Sequence, residues 1–135
     1  MDPENVHPQA YTGSSGLTTG SGAAADDYMH GDIDLNEELI KNKPATFFMR
    51  VNSDAMNDAG IYRGDTVIID RSIHAVNGKV VIALLSGEML IRRFEKTFNK
   101  IRLLPDSKKL SAIEVDPSCE DFSIWGVVTY VIHSL

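Results

Sequence analysis

A single cysteine, Cys119, stands in a chain of 135 residues, so no internal disulfide can form and nothing asks for an oxidising compartment. No apolar run comes near the roughly 20 residues needed to span a bilayer. The longest, residues 80–85, is strand-sized. The N-terminus lacks the charged and apolar regions of a signal peptide, so the expectation is a cytoplasmic protein with no membrane contact. His7, His30, His74 and His133 are scattered, and no paired Cys/His spacing suits structural zinc. Lys and Arg are missing altogether from residues 1–40, which carry eight carboxylates: Asp2, Glu4, Asp26, Asp27, Asp32, Asp34, Glu37 and Glu38. The remainder holds 11 acidic and 13 basic groups, so the net charge of −6 lies wholly in the N-terminal third. That distribution argues against a basic nucleic-acid-binding arm and against a polybasic membrane anchor.

What is present divides near residue 28. Sixteen of residues 1–27 are Gly, Ser, Thr, Pro or Ala, and beyond Met1 the larger apolar side chains are only Val6, Tyr11 and Leu17. Such a segment buries too little apolar surface to offset the entropy of ordering it, and it reads as a flexible arm. From Asp32 the pattern changes. Asp34 is a plausible N-cap with Glu37 three residues on, and Leu35, Leu39 and Ile40 give a short helix an apolar side. Pro44 limits it to two turns.

Strand signals follow. Residues 46–51 are rich in β-formers, residues 54–64 read as a loop or short turn of helix, and residues 66–69 form a doubly buried strand. Asn77-Gly78 marks a turn, and residues 79–85 and 88–94 flank Ser86-Gly87 as a two-residue hairpin. Residues 101–104, 112–115 and 124–132 supply further strands, with Trp125 and Tyr130 expected in the core. Short strands at close intervals predict one compact, mostly β domain. A helix-turn-helix needs more helix than this, so direct, specific DNA binding is not expected.

The motifs open to chemistry have plain rivals. Asp54, Asp58, Asp65 and Asp70 punctuate one segment, but their spacing does not fit a calcium loop, and loop or strand-end carboxylates are the preferred reading. Arg92, Arg93, Lys96, Lys100 and Arg102 cluster near one hairpin. Neighbours in a strand point to opposite faces, so Arg92 and Arg93 cannot share a patch, and a solvated sheet face is preferred to a phosphate groove. Cys119 lies beside Glu120 and Asp121, an environment that disfavours a reactive thiolate.

Several ordered motifs carry a resemblance: Asp34-Leu35-Asn36; Pro44-Ala45-Thr46-Phe47-Phe48; Asp54-Ala55-Met56-Asn57-Asp58-Ala59-Gly60-Ile61; Gly64-Asp65-Thr66-Val67-Ile68-Ile69-Asp70; Gly87-Glu88-Met89-Leu90-Ile91-Arg92-Arg93-Phe94; and Trp125-Gly126-Val127-Val128. Together they resemble UmuD, of the LexA-like self-cleaving serine peptidases of the bacterial SOS response, over about residues 20–135. The resemblance implies a LexA/UmuD C-terminal-like β domain at 28–135, with one short N-terminal helix, behind the arm at 1–27. It implies no cofactor and no metal. Its implied partners are a homodimer or a mixed dimer with UmuD- or LexA-like relatives, a Y-family translesion polymerase subunit, and a RecA filament as the family's trigger of cleavage.

Two departures stand out. The family's nucleophile lies in a Gly-Asp-Ser-Met type motif, which here reads Ser53-Asp54-Ala55-Met56, so Ala55 takes the nucleophile position. The family's general base is the Lys opening a basic pair on the hairpin's second strand, and Arg92 sits there. A Ser–Lys dyad needs a hydroxyl to attack and a neutral amine to take its proton. Alanine has no hydroxyl, and a guanidinium does not readily become a base. Ser53, a strand step away, would be misplaced by several ångströms. No self-cleavage is therefore expected. Arg92 could pair with a carboxylate such as Asp54, or snorkel to solvent.

By register the family's cleavage bond falls at Thr19-Gly20, with Ser15-Gly16 and Ser21-Gly22 as steric alternatives and a plain linker glycine as the rival reading. Ser53 and Thr19, both departures from the family pattern, favour natural drift over deliberate silencing, and both histories stay open. The leading expectation is a UmuD-like accessory subunit of SOS mutagenesis acting by protein–protein binding. The alternatives are a silenced copy of an active Ser–Lys peptidase and an unrelated β-barrel binding module.

Overall fold

The computed structural model describes residues 5–10, 33–41 and 43–135, of which 5–10 and 43 are described by backbone alone. Among the described residues the strands are β1 (Asn5–Ala10), β2 (Thr46–Asn52), β3 (Thr66–Asp70), β4 (Val80–Leu85), β5 (Glu88–Lys96), β6 (Ile101–Leu104), β7 (Ile113–Val115) and β8 (Phe122–Ile132). They form one sheet in the order β1-β2-β3-β8-β4-β5-β6-β7, antiparallel at every pairing. The mostly β class that the sequence predicts is the class observed.

The β4–β5 hairpin shows how local chemistry sets the register. Leu85 faces Glu88 across Ser86-Gly87. Both turn residues have positive φ, 50° at Ser86 and 82° at Gly87. Two left-handed residues in a two-residue loop match the right-handed twist of the strands they join. From that turn the alternation of side chains sorts the hairpin between two clusters. Ile82 and Ile91 pack with Met49, Val51, Val67 and Ile69, whereas Val81, Ala83, Leu90 and Phe94 pack with Ile101, Leu103 and Val127. A run such as Val80–Leu85 can be apolar throughout because both sheet faces are covered here. Each fully buried Ile or Leu in these clusters contributes about 1.5–3 kcal/mol relative to exposure.

Helix α1 (Leu35–Leu39) starts as its sequence predicts. Asp34 has extended dihedrals, and its Oδ1 accepts from the Asn36 N–H at 2.9 Å. Its apolar side is only partly covered: Ile40 is buried, while Leu35 is exposed.

Two expectations need correction. Tyr130 is not in the core. The end of β8 runs out past the covered part of the sheet, leaving Tyr130, Val131 and Ile132 all exposed. Trp125 is half-buried: its ring meets Phe47 edge-on at 5.0 Å and carries the Arg71 guanidinium 4.3 Å from its centroid. In the arm, residues 5–10 form β1, paired with β2 from Asn5↔Asn52 to Ala10↔Phe47. A composition argument weighs buried side chains, but an edge strand is held by backbone hydrogen bonds, and β2 offers an unpaired edge that β1 completes. Among the described residues, no helix is long and apolar enough to cross a membrane.

Candidate functional site

The segment that follows β2 makes the site. Ser53, Ala55 and Met56 are all buried, at 1%, 0% and 0% exposure. A single 3-10 turn, Asn57–Ala59, then closes on Gly60, whose φ of 83° is left-handed and suits glycine. The Met56 carbonyl accepts from the N–H groups of Ala59 and Ile61, which ties the turn to its start. Inside it the Ala55 N–H donates to Ser53 Oγ at 3.0 Å.

Ala55 belongs to the cluster of Ile82 and Ile91. Arg92 follows Ile91 on β5, faces Val81 across the β4–β5 ladder, and is 1% exposed. Its guanidinium turns back so that Nη1 donates to the Ile91 carbonyl at 2.8 Å. The fold buries both positions, Ala55 in the cluster of Ile91 and Arg92 one residue further along β5, opposite Val81. Neither carries a group that can attack a carbonyl or take up a proton at neutral pH. With so little exposure, Arg92 does not reach solvent. Nor does it pair with Asp54, whose carboxylate is bound by Arg63 Nη2 at 2.9 Å. That hydrogen bond is the main reason the Asp54 carboxyl lies below the ordinary aspartate range, with the charges of Arg63 and Lys109 adding to it.

Beside this turn lies a groove of about 650 Å³ with Ser53, Asp54, Asn57 and Asp58 on one wall and Ser107, Lys108, Lys109 and Leu110 on the other. The Asp58 N–H donates to the Asp106 carbonyl at 2.8 Å and pins the two walls together. Arg93 fixes the far wall: Nε and Nη2 reach Asp106 Oδ2 at 3.1 and 2.7 Å, while Nη1 donates to the Gly78 carbonyl. Sequence reasoning missed this wall. Asp106 is far from Asp58 in sequence, and no local pattern links them.

Other proposed sites resolve into separate pairings. The basic cluster is largely neutralised in place, Arg102 by Glu95 and Glu114, Lys100 by Glu114, and Arg93 by Asp106. Of the carboxylates at 54–70, Asp65 meets His133 and the Tyr62 N–H, and Asp70 holds the Ser72 N–H and hydroxyl. Thr19 and Gly20 lie outside the described residues. On the described side, β1 runs along β2 and also approaches β5, the strand that carries Arg92.

Comparison with known proteins identifies the family. A peptidase S24-like family model matches residues 12–129, and the chain belongs to that family as a UmuD-like member. Protein MucA of Salmonella typhimurium is 33% identical over 119 residues, covering 88% of this chain and 79% of its own. Protein ImpA of Shigella flexneri is 35% identical over 114 residues, covering 81% and 73% respectively. The LexA repressor of Shewanella piezotolerans is 39% identical over 90 residues, covering 67% of this chain and 44% of its own.

Proposed function

We propose that this chain is a UmuD-like accessory subunit of the SOS response and translesion synthesis, acting by protein–protein binding and unable to cut its own arm. The observation that carries this reading is the chemistry of two buried positions: Ala55 at 0% exposure has no hydroxyl, and Arg92 at 1% has no free base. The arm, residues 1–27, then stays attached across Thr19-Gly20. Its strand β1 continues to cover the edge of β2.

Partners follow from the resemblance: a second copy or a UmuD- or LexA-like relative, and a Y-family translesion polymerase subunit. The exposed apolar end of β8, Tyr130 to Ile132, supports dimerisation, since a second copy would remove it from water. A mixed dimer would hold an active relative beside a subunit that never matures. A silenced copy of an active peptidase is the same molecule with a different history. The test is association of the full chain with a Y-family polymerase subunit by sedimentation. A complex at micromolar concentration is expected, and none at that concentration would count against the reading.

A further inference from the structure

We infer that Ser53 is a third substitution disabling the site, acting on the oxyanion rather than on the dyad; this rests on the dyad reading above. In the reaction that a Ser–Lys pair at 55 and 92 would perform, the serine oxygen passes its proton to the amine and adds to the Thr19 carbonyl carbon. The carbonyl π electrons move onto its oxygen. Collapse of that oxyanion breaks the bond to Gly20, whose nitrogen leaves with the proton held by the amine. Water then adds to the acyl carbon, the ester bond to the serine oxygen breaks, the arm leaves as a carboxylic acid, and a proton from the water, passed through the amine, restores the serine hydroxyl.

The negative oxygen needs N–H donors about 2.7–3.1 Å away, already aimed at it. The backbone N–H of residue 55 is placed for this because it belongs to the residue that would attack. In this chain it is already committed, donating to Ser53 Oγ at 3.0 Å with both residues buried. The motif that the chain resembles has glycine at this position and no side chain to accept that bond. The serine builds a local side-chain-to-backbone bond of the kind that competes with other uses of an N–H. An oxyanion would have to displace it and leave the hydroxyl stranded. Ser53 is thus a positioning residue, acting through the Ala55 N–H.

The test compares three full-length chains that all carry Ala55→Ser and Arg92→Lys, one retaining Ser53, one with Ser53→Ala and one with Ser53→Gly. Loss of a single oxyanion donor costs about 10²–10³ in rate, so the Ala and Gly chains should self-cleave faster than the Ser53 chain by about that factor. Their rates should share one pH profile, because the base is the same. Equal rates in all three overturn the inference, as does acceleration by Ser53→Gly alone, which would point to backbone freedom instead of the hydroxyl. So does a cut made by Ser53 itself, abolished with its hydroxyl. A readout independent of cleavage is amide exchange at Ala55 in the chain as it stands, expected to quicken at least tenfold on Ser53→Ala. If none of the repaired chains cleaves, the dyad reading fails. The inference is then decided by that amide alone, and unchanged protection overturns it.

Discussion

Gly126 on β8 backs directly onto Ile69 on β3: a β-carbon placed on Gly126 would stand 2.4 Å from the Ile69 Cγ2 methyl and 3.3 Å from Arg71 Cγ. The contact sits where β8 shifts register against β4, between Ile82 and Ala83, and Ile69 is itself fully buried. Gly126→Ala should therefore destabilise the fold by about 1–3 kcal/mol, the usual cost of overpacking a filled core. Chemical denaturation checks this, with a lowered midpoint and an unchanged slope expected.

Arg93 and Asp106 join the central hairpin to the outer wall of the groove. Both side chains are about one-third exposed, at 34% and 30%, so solvent weakens the pair. Both Arg93 donors share one oxygen, Asp106 Oδ2, so the pair is charge-assisted without being a two-oxygen fork. A double-mutant cycle of Arg93→Met with Asp106→Asn should give a coupling of about 1 kcal/mol. Hydrogen exchange should quicken at the Asp58 N–H in either variant, since its acceptor is the Asp106 carbonyl.

The Asp54 carboxyl titrates below the ordinary aspartate range, first because Arg63 donates to it. For a depressed carboxyl the pairing is fully present above the unfolded value and is lost as pH falls through the folded one. Arg63→Met should move the Asp54 midpoint, followed by NMR, upward toward the ordinary value. The same sign applies to Asp116, held down by hydrogen bonds from the Ser118 N–H and hydroxyl.

If the open end of β8 is where two copies meet, a charge there should separate them. Ile132 is 48% exposed and pairs with Thr66 across β3, so it can be changed without opening the core. Ile132→Glu is expected to weaken self-association at least tenfold by sedimentation, with thermal stability of the monomer little changed.

The strands were legible wherever side chains decide the structure. The Ser86-Gly87 turn, the apolar run of β4 and the Asp34 cap are local signals, and each element stands where its residues put it. The misses share a cause. β1 is held by pairing to a strand that begins 36 residues after it ends, and composition cannot see a backbone ladder. Tyr130 lies in an apolar strand, but apolarity does not say where the sheet's cover stops. The Asp54–Arg63 pair was open to local reasoning, being nine residues apart across one turn, whereas the Asp58–Asp106 bond was not. Ala55 and Arg92 were legible only through the resemblance. That both are buried came from the fold.

The most direct measurement is mass spectrometry of the purified full-length chain during prolonged incubation at alkaline pH, where a lysine base would be neutral and a Ser–Lys dyad most active. With Ala55 and Arg92 in place, the chain should stay at its full mass throughout. A shorter species that accumulates with time at a rate independent of protein concentration, beginning near Gly20, would contradict the proposal that this subunit cannot cut its own arm.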